Sequence, residues 1–231
     1  MYSKVQFEAY NRFAISNREA KLAVADRVAA SAESGQTIGA GSGSTAFLAV
    51  HAIARRVRSG ELKDITLVPT SLEIEMTIAG LGMKVGDLFV DEPAWLFDGA
   101  DEFDPNGNLI KGRGGAMFRE KLLFQATRDR RVVVDASKGV EKLGSNFPVP
   151  VEIVPRALPT VLPKLQELGA VNAEIRTGAG KDGPVITELG NVIADCHFEG
   201  IADNMEGEIK KITGVVESGL FQGYFPTLIE G

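Results

Sequence analysis

The segment LFDGADEFDPNGNLIKGRGGAMFREKLL, residues 96–123, combines acids, Lys111 and a run of glycines between two apolar stretches. Its pattern predicts a strand that ends in Asp98, a glycine-containing turn, a short strand that ends in Lys111, and a glycine-rich start of a helix. Polar groups at strand ends and helix starts tend to face ligands, because backbone N–H groups there lack a partner within the element. We therefore expect this segment to contain the reactive groups.

The overall composition bounds the class of protein. With 231 residues, 44% of them hydrophobic, the chain can form one large or two modest globular domains. A net charge of −6 argues against nucleic acid as the main partner. The single cysteine, Cys196, forms no internal disulfide, which fits a reducing cytoplasm. No apolar run approaches the roughly 18 to 20 residues of a membrane span, so we expect no membrane partner.

A helix is the first element that the sequence predicts. The first dozen or so residues show no period and are interpreted as a tail without the apolar core of a signal peptide. Ser16 and Glu19 then have the spacing of a capping box, and apolar residues recur at helical intervals behind them. We expect this helix to end at Gly35.

A glycine loop follows, GAGSGST at residues 39–45, between a short predicted strand and a predicted helix. This order of elements can bind phosphate, because glycines let the backbone approach an anion and free amides point at it. The hydroxyl groups of Ser42, Ser44 and Thr45 add donors. The spacing matches neither the dinucleotide fingerprint nor the P-loop. Taken alone, the loop is either an anion site or a tight turn whose glycines serve only positive φ.

Short apolar strands alternate with helices as far as residue 134, which predicts a parallel sheet. We expect an α/β fold in which a Rossmann-like, mostly parallel sheet has helices on both faces. Ligands of such sheets bind beyond the carboxyl ends of the strands. The glycine loop, Thr70, Asp98 and residues 135–138 all follow predicted strands. These polar groups are therefore expected along one edge of the sheet.

From residue 149 the pattern changes to that of a smaller α+β domain with an antiparallel, ferredoxin-like sheet. Predicted helices cover residues 158–168 and 204–212, and predicted strands include residues 184–187 and 215–220. The domain boundaries that follow are 1–147 with 218–231 for the Rossmann-like catalytic domain, and 148–217 for the smaller domain.

Glu120 shares one face of a predicted helix with Leu123 and Phe124. Because that face is largely apolar, we expect the carboxylate to point toward packed surface, where burial and the nearby helix start act in opposite directions on its proton affinity. A carboxylate in this position can act as a general base, which typically contributes about 10²- to 10⁴-fold in rate. Spacing alone leaves a surface glutamate beside Arg119 and Lys121 equally open.

The neighbouring charged residues also allow more than one interpretation. Asp98 and Asp101 could bind their own backbone in a turn, or act as acids in a site. Together with Glu102 and Asp104 they resemble calcium ligands superficially, but the spacing lacks the features of an EF-hand, so we expect no metal. Lys111 and the glycine amides beside it could stabilise an oxyanion, and the alternative is a solvated lysine at a strand end.

Several segments together carry a resemblance to a known family. Four of them, GAGSGST (39–45), DGADE (98–102), KGRGGAMFREK (111–121) and DASK (135–138), occur in the order and at the intervals of the type A ribose-5-phosphate isomerases. The later segments FPVPVEIVP (147–155), TELGNVIAD (187–195) and GVVESGLF (214–221) are similar to that family as well. The resemblance covers about residue 17 to the C-terminus, and the order of the motifs makes it specific.

The resemblance implies an aldose–ketose isomerase of the pentose phosphate pathway. Such enzymes interconvert D-ribose 5-phosphate and D-ribulose 5-phosphate through a cis-enediolate, with neither a metal nor a cofactor. It implies that Glu120 is the general base, that Asp98 with Asp101 handles ring opening and hydroxyl protons, and that Lys111 holds the enediolate oxygens. The residues implied to contact the substrate are Ser42, Gly43, Ser44, Thr45, Asp98, Gly99, Ala100, Asp101, Lys111, Gly112, Arg113, Gly114 and Lys138.

Some features leave alternatives open. Arg113 stands where many relatives have glycine, which adds a cation near the sugar and leaves sugar preference open. Lys21 aligns with a basic residue that approaches the phosphate. The alternatives are a non-catalytic sugar-phosphate sensor and an isomerase of the same fold with a different or broader aldose preference. The implied partners are a sugar phosphate and further copies of the chain, as a dimer or tetramer that uses the C-terminal α+β segment as a contact surface.

Overall fold

The computed structural model describes Ile15 and residues 17–231. The predicted tail and Ser16 of the predicted capping box lie outside the described residues. Residue contacts divide the chain into two compact units. The first unit contains the residues up to Gly99, Leu122–Asp135 and Pro226–Gly231, and the second contains Ala100–Lys121 and Ala136–Phe225. The domain boundaries predicted from the sequence divide the chain elsewhere and stay a prediction.

The elements are numbered along the chain. The helices are α1 (Arg18–Ala30), α2 (Ser44–Arg58), α3 (Leu72–Gly80), α4 (Met117–Ala126), α5 (Leu158–Glu167) and α6 (Met205–Lys210), with short 3₁₀ helices at Ala136–Lys138 and Pro155–Ala157. The strands are β1 (Thr37–Ala40), β2 (Thr66–Pro69), β3 (Lys84–Val85), β4 (Trp95–Gly99), β5 (Glu102–Phe103), β6 (Leu109–Ile110), β7 (Asp129–Val134), β8 (Val149–Ile153), β9 (Ala170–Ile175), β10 (Val192–Phe198), β11 (Val215–Ser218), β12 (Leu220–Phe221) and β13 (Thr227–Glu230). None of the helices in the described part of the chain is long and apolar enough to cross a bilayer.

The first unit is built on a six-stranded sheet with the order β13-β7-β4-β1-β2-β3. Every neighbouring pair in it is parallel, which confirms the predicted parallel sheet flanked by helices. The register pairs Ala40 with Pro69 on one side and with Phe97 on the other. Strands β1 and β2 therefore end at the level of Phe97 in β4, and the residues that follow these three positions are brought side by side.

Apolar side chains of α1, α2 and the central strands form the core of the first unit. Ile38 of β1, Ile53 of α2 and Leu67 of β2 are fully buried in one cluster. Burying one side chain of this size contributes about 1.5–3 kcal/mol relative to leaving it exposed. The core thus fixes the strands from which the polar loops leave.

Two boundaries of the first unit differ from the prediction. The helix predicted to end at Gly35 ends at Ala30. The strand predicted over residues 83–90 is only Lys84–Val85 long, because the chain enters a turn at Asp87. In that turn Asp87 accepts a hydrogen bond from the Phe89 amide at 2.8 Å, which offers the backbone an alternative to the sheet.

The second unit contains two smaller sheets. One is antiparallel with the order β11-β8-β10-β9. Helix α5 lies between β8 and β9 in the chain, and α6 lies between β10 and β11, so the elements follow the β-α-β-β-α-β order of a ferredoxin-like fold. The other sheet has the order β12-β6-β5. The predicted ferredoxin-like α+β region is confirmed by this topology.

The strand predicted over residues 215–220 is wrong as a single element. It breaks at Gly219 into β11, which pairs with β8, and β12, which pairs with β6. A Cβ atom at position 219 would lie 2.1 Å from the carbonyl oxygen of Lys111, so only glycine allows this passage. The predicted strand over residues 184–187 is also wrong, because these residues form only isolated bridges at Pro184 and Ile186.

Candidate active site

The glycine loop of the first unit begins where β1 approaches β4 closely. The Gly41 amide donates to the carbonyl oxygen of Phe97 at 2.8 Å. A Cβ atom at position 41 would lie 2.2 Å from the Asp98 carboxyl group and 2.5 Å from the Asp98 Cα atom. Glycine at this position is therefore required by the strand end beside it, independently of any ligand.

Ser42 connects the ends of three strands. Its amide donates to Oδ1 of Asp98 at 3.1 Å, and its hydroxyl oxygen lies 2.8 Å from Oγ1 of Thr70. Asp98 is 1% exposed and also accepts the Gly99 amide at 2.7 Å. Thr70, also buried, bonds back to the carbonyl oxygen of Ala40. Of the polar groups predicted to converge at the carboxyl edge of the sheet, the glycine loop, Thr70 and Asp98 do so in this unit.

The loop continues into the amino terminus of α2. Gly43 occupies the N-cap position with φ of +86° and, as glycine, offers no side chain to cap the first amides. The ammonium group of Lys21, on α1, donates to the hydroxyl oxygen of Ser44 at 3.0 Å. A lysine and uncapped helix amides at one place form a positive environment that suits a phosphate group.

A buried ion pair is the central feature of the second unit. Nζ of Lys111 lies 3.3 Å from Oε1 of Glu120, and the two side chains are 2% and 6% exposed. Lys111 follows β6, and its amide donates to Gly219, while Glu120 lies in the first turn of α4. The centroid of the Phe221 ring lies 5.7 Å from Nζ of Lys111. Burial of Glu120 confirms that its helix face is packed, and the alternative of a solvated surface glutamate is wrong.

A glycine run separates these two charged residues. Gly112 has φ of +93° and Gly115 has φ of +81°, values that favour glycine. The Gly115 amide bonds to the Gly112 carbonyl oxygen at 2.9 Å and closes a tight turn. The Arg113 amide donates to Oδ2 of Asp101 at 3.0 Å. The turn thus connects Lys111 to the start of α4 and binds Asp101 through a backbone amide.

A second ion pair supports this turn from the ferredoxin-like sheet. Arg176 follows β9, and its guanidinium bonds both carboxylate oxygens of Asp195 on β10. Its Nη1 atom donates to the carbonyl oxygens of Gly112 at 3.0 Å and Arg113 at 2.9 Å. No sequence pattern singles out either residue, because the two are far apart in the chain and meet only through strand register.

Known proteins place the chain in a family. A sequence profile for Ribose 5-phosphate isomerase A (phosphoriboisomerase A) matches residues 66–231. The curated Ribose-5-phosphate isomerase A of Thermosynechococcus vestitus is 42% identical over 217 residues, which cover 93% of this chain and 92% of that protein. The chain belongs to the ribose 5-phosphate isomerase A family. An archaeal family member, from Archaeoglobus fulgidus, is also 42% identical, over 81% of this chain and 83% of its own length.

Solved structures of family members share the fold. Ribose 5-phosphate isomerase A from Methanocaldococcus jannaschii superposes with a TM-score of 0.88 at 38% identity, over 94% of this chain and 96% of that one. A D-ribose-5-phosphate isomerase in complex with phospho-erythronic acid superposes with a TM-score of 0.90 at 37% identity, over the same shares. These likenesses confirm the resemblance to the isomerase family and the α/β fold inferred from the sequence.

The structure places the residues predicted from the family resemblance in two groups. The first unit holds Ser42, Gly43, Ser44 and Thr45 with Asp98 and Gly99. The second unit holds Ala100, Asp101, Lys111, Gly112, Arg113, Gly114, Glu120 and Lys138. Within each group, hydrogen bonds or ion pairs join the central members. Their individual roles stay predictions.

Two acids of the DGADEFD segment have structural roles that the sequence did not reveal. Glu102 is fully buried, and its carboxylate accepts the amides of Gly144, Asn146 and Phe147 at 2.5–2.8 Å. Asp104 accepts two backbone amides in the next turn. Asp104 therefore stabilises its own turn, whereas Glu102 holds a loop that is distant in the sequence.

The loop that Glu102 holds also contacts Lys138, a predicted substrate residue. Phe147 lies in this loop, and the ammonium group of Lys138 lies 4.6 Å from the centroid of its ring. Phe103, next to Glu102, accepts the Val140 amide at 3.0 Å. Contacts from β5 therefore fix the chain at several points after Lys138.

Proposed function

We propose that the protein interconverts D-ribose 5-phosphate and D-ribulose 5-phosphate by proton transfer between C2 and C1 of the open-chain sugar. The buried Lys111–Glu120 pair is the observation that carries this proposal, together with membership of the family. A carbon-bound proton needs a positioned base, and the enediolate formed by its removal needs fixed positive groups at its oxygens. The pair supplies one group of each kind.

Glu120 is the base of the proposed reaction. Its carboxylate takes the proton from C2 of the aldose. The C–H electrons form the C1–C2 double bond while the π electrons of the C1 carbonyl move onto O1, which gives a cis-enediolate. The O2 proton then passes to O1, the C2=O bond forms, and the carbon-bound proton returns from Glu120 to C1, which gives the ketose. Lys111 and the amides of Gly112 and Gly114 stabilise the enediolate oxygens, where removing one such donor typically costs about 10²- to 10³-fold in rate. No electron acceptor is required, and the proposed reaction uses neither a metal nor a cofactor.

Asp98 and Asp101 handle the protons on oxygen. Asp98 opens the sugar ring and exchanges hydroxyl protons, and two backbone amides fix its Oδ1 atom for this purpose. Asp101 assists in this role, and the Arg113 amide orients its carboxylate. Both roles rest on the family resemblance, and the hydrogen bonds supply the positioning that each role needs.

The remaining residues bind the phosphate and the sugar hydroxyls. Residues 42–45 and Lys21 bind the phosphate, which the uncapped start of α2 and the Lys21–Ser44 bond favour. Lys138 and Arg113 add cations for the sugar phosphate. A related structure contains phospho-erythronic acid. The two oxygens of its planar carboxylate resemble the two oxygens of a planar enediolate, although the enediolate carries them on two neighbouring carbons. The same acid is therefore expected to bind this protein.

A substrate panel tests the activity directly. Purified protein is incubated with ribose 5-phosphate, with unphosphorylated ribose and with other aldose phosphates, and ketose formation is followed with and without excess EDTA. Rapid ribulose 5-phosphate formation that EDTA leaves unchanged supports the proposal. Binding of ribose 5-phosphate without turnover would show a sugar-phosphate sensor. A higher kcat/KM for another aldose would show a different specificity.

We further propose that the protein acts in the cytoplasm as a homodimer or homotetramer, in the non-oxidative part of the pentose phosphate pathway. Its single cysteine and the metabolite it acts on favour the cytoplasm. Exposed apolar residues of the second unit favour association, since Val171 on β9 is 61% exposed and Leu189 is 49% exposed. Light scattering after gel filtration measures the oligomeric state, and a monomer at micromolar concentration would contradict this part.

A further inference from the structure

We propose that Arg176, held by Asp195, is a positioning residue that orients the amides of the Gly112–Gly114 turn toward the substrate and toward Asp101. This inference rests on the proposed isomerase function. It adds to that function two residues that the family resemblance did not imply. Both residues belong to the ferredoxin-like sheet of the second unit. Neither is proposed to touch the sugar.

The geometry of the guanidinium makes it a rigid support. Two of its nitrogens bond the two carboxylate oxygens of Asp195, at 2.8 Å for Nε and 2.5 Å for Nη2. The third, Nη1, is left to reach the turn, where it bonds two successive carbonyl oxygens. Arg176 and Asp195 are 16% and 22% exposed, so water competes only partly for these bonds. A planar fork fixed on one side presents its remaining donor in a fixed direction.

The direction of the carbonyl groups decides the direction of the amides. In a planar trans peptide the C=O and the following N–H point opposite ways. Because the Gly112 carbonyl points at Arg176, the Arg113 amide must point away from it, and this amide indeed bonds Asp101. The Arg113 carbonyl also points at Arg176, so the Gly114 amide is turned away from the guanidinium too. Arg176 thereby orients one amide for Asp101 and one for the enediolate.

The turn needs such a support because of its composition. Gly112 and Gly114 lack side chains, and glycine loses more conformational freedom on folding than any other residue. Gly112 is held in a left-handed conformation, and no side chain contacts are available at Gly114, where a Cβ atom would meet nothing within 4 Å. Carbonyl bonds from Arg176 are therefore a means of holding two peptide planes without a side chain at either glycine.

Two variants test the proposal in the full-length protein. Arg176→Lys keeps the charge but lacks the planar fork that bonds Asp195 on one side and the two carbonyl oxygens on the other. Asp195→Asn loosens the guanidinium from the opposite side. We expect each to lower kcat about tenfold and to weaken binding of phospho-erythronic acid by a similar factor, while KM for ribose 5-phosphate changes less than about threefold. Calorimetry gives the binding constant separately from the number of sites, so partial unfolding does not imitate the effect.

Arg131→Lys is the matched control. Arg131 also bonds an aspartate through two nitrogens, Asp129, at 2.6–3.2 Å, but it belongs to β7 of the first unit. The Arg131→Lys variant should have the wild-type kcat and bind phospho-erythronic acid as tightly as wild type. Two results would overturn the positioning role. One is an Arg176→Lys variant that binds phospho-erythronic acid as tightly as wild type. The other is a loss of binding that appears only as fewer binding sites and a lower melting temperature.

The two proposals fail in different ways. A wild-type protein that binds phospho-erythronic acid but forms no ketose refutes the isomerase function, and the binding constants of the variants still decide the role of Arg176. An active wild-type protein whose Arg176 and Asp195 variants keep wild-type kcat and binding refutes the positioning role alone. A wild-type protein that neither isomerises nor binds the acid refutes both.

Discussion

Nζ of Lys111 lies 3.3 Å from Oε1 of Glu120, and both groups are almost completely buried. Removing one partner of a buried pair leaves the other charge in a poor environment, which typically costs about 3–5 kcal/mol. The pair therefore links the stability of the second unit to the chemistry proposed for it. A substitution that keeps the shape and one acceptor oxygen separates the two effects.

Glu120→Gln is that substitution. The amide oxygen still accepts a hydrogen bond from Lys111, so we expect the far-UV circular dichroism to stay unchanged and the melting temperature to fall only modestly. Loss of the base should lower kcat by about 10²- to 10⁴-fold. The matched control is Glu217→Gln, which alters another buried glutamate paired with a lysine, Lys121, and should keep most of the activity. A Glu120→Gln variant with kcat near the wild-type value would exclude Glu120 as the base.

Gly41→Ala tests the close approach of the glycine loop to β4. The added methyl group would meet the Asp98 carboxyl group at 2.2 Å and its Cα atom at 2.5 Å, so the loop must move. We expect a loss of about 1–3 kcal/mol in the free energy of unfolding, and a KM for ribose 5-phosphate raised severalfold because Ser42 moves with the loop.

Gly207→Ala is the control for this change. Position 207 lies within α6, and a Cβ atom there would meet nothing within 4 Å. Alanine should therefore stabilise the helix by up to about 1 kcal/mol and leave KM unchanged. Urea unfolding and steady-state kinetics measure both variants, and equal behaviour of the two would argue against the steric role of Gly41.

The positions of Ser42, Thr70 and Asp98 at one edge of the sheet could be predicted because a parallel sheet is a repeating structure. Once the strands before Ser42, Thr70 and Asp98 are recognised, their common direction places the residues after them at one edge. Burial of Glu120 was also within reach, since helical spacing placed it beside Leu123 and Phe124, which are both buried. These inferences depend only on local period and on chain direction.

Other features depend on contacts between residues far apart in the chain, and no local pattern records them. Arg176 and Asp195 meet because β9 and β10 pair with one register, in which Ile175 lies opposite Ala194. In the sequence, Gly219 looks like any glycine within a strand. Only the structure shows the carbonyl oxygen of Lys111 beside it, where a side chain would collide. Such contacts are set by the packing of whole elements, and the single-sequence pattern therefore could not predict them.

Glu102→Gln tests whether the buried carboxylate holds the loop that carries Phe147. Gln offers one acceptor oxygen where three amides need two, and its NH₂ group would face a donor. We expect the free energy of unfolding to fall by about 2–3 kcal/mol. KM for ribose 5-phosphate should rise as well, because Lys138 loses its fixed ring. Phe147→Leu is the comparison, since it removes the ring and keeps the carboxylate, and it should raise KM with a smaller loss of stability.

Glu217 gives the second unit a pH-dependent contribution to stability. Burial alone would raise the pKa of Glu217, but the charge of Lys121 and hydrogen bonds from Lys210, the Ser218 amide and Lys121 hold the pKa below its usual value of 4.5. A pKa that is lower in the folded state means that the stability contributed by Glu217 is fully present above the unfolded pKa and is lost as pH falls through the folded pKa.

Glu217→Gln should lower the free energy of unfolding by about 1–3 kcal/mol at about pH 7 and by progressively less in acid. Urea unfolding of wild type and variant between about pH 7 and pH 3 measures the difference, with Glu208→Gln, from the exposed pair with Lys211, as a control that changes little. A difference that stays constant into acid would show that the ionised form of Glu217 is not what stabilises the fold.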